Sequence, residues 1–150
     1  MGKKRIIKPD QEKLLKERDV VEEGVKKDSR VAKAIKGRDG KIYISSTYNN
    51  TIITLTDSRG SVLAWKSAGS IGFNGSKKAT PFAASKVAEA LCLVADKIGI
   101  SKIDIFAKGI GSGRDSAIRS FAGHGLEINS ITDITPLPHN GCRPPKPRRV

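Results

Sequence analysis

Two glycine-rich segments of this sequence carry the residue types that bind phosphate. Residues 72–78 read Gly-Phe-Asn-Gly-Ser-Lys-Lys, and residues 108–114 read Lys-Gly-Ile-Gly-Ser-Gly-Arg. Each segment precedes a predicted helix, and a helix N-terminus presents backbone N–H groups and a partial positive charge. We therefore predict that both segments bind phosphate, which can approach closely where glycine removes the Cβ. The residues of this prediction, with two nearby cations, are Lys66, Phe73, Ser76, Lys77, Lys78, Lys108, Gly109, Gly111, Gly113, Arg114 and Arg119.

The spacing of the second segment argues against a dinucleotide-binding fingerprint. The third glycine of Gly109-x-Gly111-x-Gly113 comes one residue early for the pattern Gly-x-Gly-x-x-Gly. Asp133 lies twenty residues beyond Gly113, but no second mononucleotide-binding half follows it. We favour contact with the backbone phosphates of a polymer, and a plain tight turn stays open. Phe73 has two interpretations, stacking on a base or filling the local core.

The last fifteen residues, 136–150, form a basic, proline-rich tail. They carry five prolines, four cationic side chains and no carboxylate. Proline fixes its own φ and keeps the preceding residue out of the α region, so we expect an extended chain. Such a chain suits an anionic polymer, where Lys and Arg displace counterions from phosphates. A disordered, solubilising tail is the alternative. The tail cations are Arg143, Lys146, Arg148 and Arg149.

The overall charge supports a polyanionic partner. The 150 residues contain 28 Lys and Arg against 15 Asp and Glu, a net charge of +13, and the two ends supply nine of these thirteen charges. A partner of this kind is nucleic acid or an acidic membrane surface. No apolar run approaches the roughly 20 residues of a membrane span. Cys92 and Cys142 form no Cys-x-x-Cys pair, which favours a reducing compartment.

No enzymatic or metal site is indicated. A metal-dependent nuclease needs several carboxylates that converge on the sheet, but residues 41–56 contain no acid. His139 and Cys142 supply at most half of a zinc site. We therefore expect no catalytic residue, no metal and no cofactor. Trp65 is expected in the core, and seven aromatic residues do not support a base-stacking sheet.

The hydrophobic pattern predicts the element order β-β-β-α-β-α-β. Three short strands with tight links predict an antiparallel meander, and asparagine in the first link tolerates a left-handed turn. The two later strands, each reached through a helix, should be parallel neighbours. We expect a mixed five-stranded sheet with two helices, in a ribonuclease-H-like α/β arrangement. The predicted strands are 41–47, 51–56, 61–67, 102–107 and 126–134, and the predicted helices begin at Pro81 and Asp115.

The helix starts and stops have specific signals. Thr80 and Pro81 give an N-cap and a proline in the first turn, and Gly99 supplies a stop. The second helix should bury Ile118, Phe121 and Ala122. These elements define three regions: an N-terminal extension at 1–40, mobile or ordered by a partner, an α/β RNA-binding domain at 41–135 and the extended tail at 136–150.

Four segments together are typical of one known family. They lie at 48–57, 72–84, 108–115 and 131–145, and the last contains Pro-His-Asn-Gly-Cys-Arg-Pro. Over residues 41–150 the chain resembles bacterial-type small-subunit ribosomal protein eleven. It departs from the family pattern at Ile110 and Ser112, where prolines are usual, and at Pro147, which interrupts the basic run.

The resemblance implies a non-enzymatic constituent of the small-subunit platform that binds and bridges ribosomal RNA helices. It implies a place beside the messenger RNA (Shine-Dalgarno) cleft, with small-subunit proteins seven and eighteen as neighbours and initiation factor three nearby. The ribosome would be cytoplasmic, or that of an organelle. A free-standing RNA-binding or regulatory protein is the alternative. The RNA contacts implied by the match are Asn49, Asn50, Lys77, Lys78, Arg114, His139, Asn140, Arg143 and the basic tail end.

Overall fold

The computed structural model describes residues 38–143 and 145–146. The predictions for residues 1–37, and for Arg148 and Arg149, lie outside these residues. Within the described residues, five strands and two α-helices follow one another in the predicted order. The strands are β1 (Arg38–Ser46), β2 (Thr51–Asp57), β3 (Val62–Ser67), β4 (Ile100–Lys108) and β5 (Glu127–Asp133). The helices are α1 (Pro81–Ile98) and α2 (Gly113–Gly123), and a short 3₁₀ helix, Gly75–Ala79, precedes α1.

The strands form one mixed sheet in the order β3-β2-β1-β4-β5. β2 is antiparallel to β1 and to β3, whereas β4 is parallel to β1 and to β5. The predicted meander and the predicted parallel pairing of the last two strands are both confirmed. Because β1 is central and pairs on both sides, it begins at Arg38, three residues before the predicted start.

Helix α1 begins and ends as its sequence predicts. The Thr80 side chain accepts a hydrogen bond from the Ala83 N–H at 3.2 Å, and Pro81 occupies the first turn. Gly99 ends the helix in the left-handed region at φ 85°, and its N–H donates to the Ala95 carbonyl at 2.9 Å. The predicted apolar face is buried along its whole length, at Ala83, Val87, Ala90, Leu91, Val94 and Ile98.

Helix α2 begins at Gly113, two residues before its predicted start. Phe121 is fully buried and Ile118 is half-buried, as predicted, but Ala122 is exposed and Ala117 is buried instead. Residues four apart share a helix face, so Ala117 lies beside Phe121 while Ala122 points about 100° away. The prediction for Ala122 is therefore wrong.

Both helices pack on one face of the sheet and against each other, and the core lies between them and the strands. Alternate residues of each central strand point into this core, as the period of a half-covered sheet requires. The buried strand residues on this face include Ile42, Ile44, Ile53, Leu55, Ile103 and Ile105.

The other face of the sheet carries a row of side chains in register across all five strands. The row runs through Trp65, Thr54, Tyr43, Phe106 and Thr132. The rings of Tyr43 and Phe106 stack at 5.1 Å between centroids. Trp65 is 58% exposed, so its expected place in the core is wrong: it lies on an edge strand, opposite the helices. Three of the seven aromatic residues thus share one sheet face.

Asp104 lies on the same face, bound to its neighbours on β5. It accepts hydrogen bonds from the Ser130 hydroxyl at 2.7 Å and the Asn129 amide at 3.0 Å. These bonds, with a smaller contribution from Lys41, hold the pKa of Asp104 below its usual value. Among residues 38–143 and 145–146, no group of three or more His, Cys, Asp or Glu residues could hold a metal ion.

Candidate nucleic-acid interface

Three connections meet at one edge of the sheet. β1, β4 and β5 are parallel, so their carboxyl ends lie at the same edge, where β2 also begins and β3 ends. We define the loop edge as the connections at this edge, residues 47–50, 68–80 and 108–114. β5 also ends at this edge, at Asp133, and residues 134–135 lead from it to the tail.

A hydrogen bond joins the two glycine-rich segments at the loop edge. The Ser112 hydroxyl donates to the Ala79 carbonyl at 2.9 Å, across 33 residues of sequence. Ser112 precedes α2 and Ala79 lies just before α1, so both helix N-termini meet here. Ser112 does not cap α2 with its side chain. The two segments predicted to bind phosphate therefore form one continuous surface.

The three glycines of the second segment are required by packing inside the protein. A Cβ on Gly109 or Gly111 would collide with Ser46, and a Cβ on Gly113 would lie 2.6 Å from the Thr51 hydroxyl. Gly109 also has a φ angle of +99°, a backbone conformation that residues other than glycine rarely adopt. The Gly111 N–H donates to the Ser46 carbonyl at 3.1 Å, so this amide is used internally. The glycines therefore allow this loop to lie close to the ends of β1 and β2.

The β1–β2 turn is held by its own side chains. The Asn50 N–H donates to the Thr47 hydroxyl at 3.1 Å, and the Asn50 side-chain oxygen accepts from the Thr51 N–H at 3.0 Å. Neither Asn49 nor Asn50 has a positive φ, so the left-handed turn expected from the asparagines is wrong. These bonds fix the turn and leave Asn49 and Tyr48 exposed, Tyr48 to 75%.

Residues 68–80 carry two of the three lysines of the loop edge, Lys77 and Lys78. Ser76 and Lys77 are exposed on the 3₁₀ helix, and Lys78 is half-buried, with its stem near Gly69. Thr80 links these residues to α1. Its hydroxyl donates to the Lys77 carbonyl at 2.8 Å and also accepts the capping bond from the Ala83 N–H. The sequence places the lysines close together, and the 3₁₀ helix presents them beside the α1 N-terminus.

Two aromatic rings flank the start of α1. Phe73 is half-buried and packs against the core, which supports the second interpretation given for this residue. Its ring meets that of Phe82 edge to face at 6.0 Å. Phe82 is largely exposed, and it was not among the residues predicted from the sequence. Of the two rings, Phe82 is the one that a base could reach.

Arg114 is engaged inside the protein. Its Nη1 donates to the Asp133 carboxylate at 2.9 Å and to the Gly109 carbonyl at 3.4 Å, and its Nε lies 3.4 Å from Asp115. The N–H and hydroxyl of Thr135 both donate to Asp133, at 2.9 and 2.6 Å. The Thr135 bonds first, and Arg114 next, hold the pKa of Asp133 below its usual value.

The family comparison matches this domain together with its tail. The profile of the family described as ribosomal protein S11 matches residues 40–149. This chain belongs to the ribosomal protein S11 family. It is therefore a structural protein of the small ribosomal subunit that binds ribosomal RNA and neighbouring ribosomal proteins. The resemblance seen in the four sequence segments is confirmed.

Within this S11-family domain, most of the predicted RNA-contact residues lie at the loop edge. Lys108 is exposed at the end of β4, whereas Arg119 is exposed further along α2. Lys66 does not fit the prediction of a surface contact. It is 5% exposed because its position on β3 pairs with Ile53, on the face that the helices cover. RNA cannot reach Lys66 in this conformation.

The tail of this family member begins with an ordered anchor. The Ile134 N–H donates to the Ala107 carbonyl at 2.8 Å, and the Thr135 hydroxyl accepts from the Gly109 N–H at 3.0 Å. Beyond this point residues 136–143 and 145–146 are exposed and contain no helix or strand. His139, Asn140, Arg143 and Lys146 thus lie on the surface, and Asn140 has φ 54°.

The two cysteines of the S11-family chain lie in different surroundings. Cys92 is buried in α1, and desolvation, aided by Asp96 and Glu89, raises the pKa of its thiol to about 12. A thiol with this pKa stays protonated and is a poor metal ligand at neutral pH. Cys142 is exposed in the tail. Within the described ranges, no helix is long and apolar enough to cross a bilayer.

Proposed function

We propose that this S11-family protein binds and bridges ribosomal RNA helices of the small-subunit platform through its loop edge and its tail. The observation that carries the proposal is the bond between Ser112 and Ala79, which joins the two glycine-rich segments into one surface. Lys77, Lys78 and Lys108 lie on or beside this surface. Two helix N-termini and several cations facing one way favour an extended polyphosphate.

Phosphate contacts of this kind position an RNA more than they select its sequence. Specificity should therefore come from the shape of the folded RNA, which a rigid surface can match. The β1–β2 turn suits this role because its internal hydrogen bonds fix the exposed residues Tyr48 and Asn49. The contacts proposed for Asn49, Asn50, Lys77, Lys78 and Lys108 thus belong to one preformed surface.

The finer assignments are part of the same proposal and are supported by family membership. We infer a place beside the messenger RNA cleft, with proteins seven and eighteen as neighbours and initiation factor three nearby, in a cytoplasmic or organellar ribosome. The role is non-enzymatic. The strand order β3-β2-β1-β4-β5, with β2 antiparallel to both neighbours, supports the ribonuclease-H-like arrangement as a scaffold. The exposed tail is proposed to extend along RNA.

The role of the loop edge can be tested by replacing two cationic residues there and, in a control, two at the opposite end of the domain. We expect Lys77→Gln with Lys78→Gln to flatten the plot of log affinity for small-subunit ribosomal RNA against log salt by about 1.5, as for two lost phosphate contacts. The control is Arg59→Gln with Lys97→Gln, which removes the same charge from the β2–β3 turn and the end of α1. Equal slopes for both double variants would show that only net charge matters and would refute the proposed surface.

A free-standing regulatory RNA-binding protein is the alternative from another class. The two functions differ in where the native protein resides. We expect it to sediment with small ribosomal subunits in high salt, since a component held by many contacts dissociates slowly. Recovery of the protein only in the free fraction would favour the alternative.

A further inference from the structure

We propose that Arg114 and Asp133 form a clasp that positions the tail against the glycine loop, and that RNA binding depends on this clasp. The clasp consists of Arg114, Asp133 and Thr135, together with the backbone of Gly109. The inference rests on the proposed function and deepens it. It assigns Arg114 mainly to positioning the tail, whereas its sequence predicts a direct phosphate contact.

The contacts of the clasp form a closed circuit between the loop and the tail. Arg114 Nη1 donates to Asp133 Oδ2 at 2.9 Å and to the Gly109 carbonyl at 3.4 Å. The other oxygen of Asp133 accepts both bonds from Thr135. The Thr135 hydroxyl in turn accepts the Gly109 N–H at 3.0 Å. The Gly109 N–H is thus bound directly by Thr135, and the Gly109 carbonyl is linked to Asp133 through Arg114.

The location of the clasp explains why it should matter. Asp133 is the last residue of β5, and residues 134–135 join it to the tail, which begins at Pro136. The direction in which the cations of the tail leave the domain is therefore set at residues 133–135. Arg114 is only 34% exposed while it makes these contacts. A tail fixed in direction loses less conformational freedom when it binds than a freely moving one does.

A carboxylate at an RNA-binding surface gives this proposal an unusual signature. Electrostatics alone predicts that removing a negative charge strengthens binding to RNA, because it reduces repulsion of the phosphates. The clasp predicts the opposite for Asp133→Asn, because asparagine keeps only one acceptor oxygen and its NH2 group would face the donors of either Arg114 or Thr135. Asp115→Asn is the matched control. It removes the same charge beside the same arginine, but from α2 and not from the end of β5, which leads into the tail.

The test uses full-length protein and transcribed small-subunit ribosomal RNA. We expect Asp133→Asn to bind about threefold more weakly than the wild type, the scale of a partly exposed ion pair, and Asp115→Asn to bind equally or more tightly. Thr135→Val, which changes no charge, should also weaken binding. In the free protein, amide exchange at Gly109 should be faster in Asp133→Asn and Thr135→Val but unchanged in Asp115→Asn. If Asp133→Asn fails to fold, Thr135→Val decides the question.

Two results would overturn the clasp. The first is that Asp133→Asn binds RNA as tightly as Asp115→Asn does. The second is that amide exchange at Gly109 is unchanged in both Asp133→Asn and Thr135→Val. Failure of the proposed function would look different. In that case the wild-type protein itself would show no salt-dependent affinity for the RNA, while the exchange rates in the free protein would still report on the clasp.

Discussion

At the scale of single residues, the glycines of the 109–113 loop show how one sequence feature can serve a different purpose from the one it suggests. Their missing side chains let the loop lie against Ser46, Thr47 and Thr51 at the ends of β1 and β2. The proposed phosphate contacts of this loop would then follow from the position that the packing gives it. A substitution at one of these glycines should therefore lower the stability of the free protein, whether or not RNA is present.

We predict that Gly111→Ala destabilises the free protein by about 1–3 kcal/mol. The added Cβ would lie 2.5 Å from the Thr47 carbonyl oxygen, and backbone atoms cannot move away easily. Gly123→Ala is the control, since a Cβ there meets nothing within 4 Å at the end of α2. Urea unfolding should show the loss for Gly111→Ala alone. Equal stability of the two variants would contradict the packing explanation.

Trp65 allows a second test at this scale. Because it is exposed on an edge strand, Trp65→Ala should cost less than about 1 kcal/mol, whereas Phe121→Ala, fully buried, should cost about 3–5 kcal/mol. Thermal denaturation of both variants measures the difference. A large loss for Trp65→Ala would show that this face is covered in the free protein.

At the scale of elements, the sequence carried most of the information for α1 and less for α2. Thr80, Pro81 and Gly99 mark the limits of α1 by known capping chemistry, and its apolar period is regular. The start of α2 has a serine at its N-cap position, but the Ser112 side chain bonds to Ala79 and does not cap its own helix. A bond across 33 residues follows from the tertiary fold, and no local pattern predicts it.

We predict that Thr80→Ala destabilises the protein by about 1 kcal/mol, since it leaves the Ala83 N–H without its cap. Ser85→Ala is the control on the same helix. Its hydroxyl donates back to the Pro81 carbonyl at 3.1 Å, a bond that adds little to helix stability. Denaturant midpoints of the two variants should differ clearly. A neutral Thr80→Ala would show that the cap does not limit the stability of α1.

At the scale of the whole molecule, the fold collects residues that are far apart in the sequence. The turn at 47–50, the loops at 68–80 and 108–114, and the start of the tail reach one edge because β1, β4 and β5 run in the same direction. The order of the elements and the parallel pairing were predictable from the sequence. The burial of Lys66 and the engagement of Arg114 with Asp133 were not, since both depend on which face each residue takes in the assembled sheet.

The charge of the molecule is consistent with this arrangement. The net charge is +13, and the last fifteen residues, which leave from the loop edge, contain four cations and no acid. The opposite edge of the sheet has the β2–β3 turn and the start of β4, where Lys102 pairs with Glu127 at 3.5 Å. We therefore expect the loop edge to contact RNA in the ribosome and the opposite edge of the sheet to make no such contact.

The most direct measurement is ultraviolet cross-linking of intact small ribosomal subunits, followed by mass spectrometry of the peptides that carry RNA. We expect cross-links within residues 47–50, 72–80, 108–114 and 136–146, and none within 57–60 or 96–101. Cross-links concentrated at 57–60 and 96–101, with the loop edge free of RNA, would contradict it.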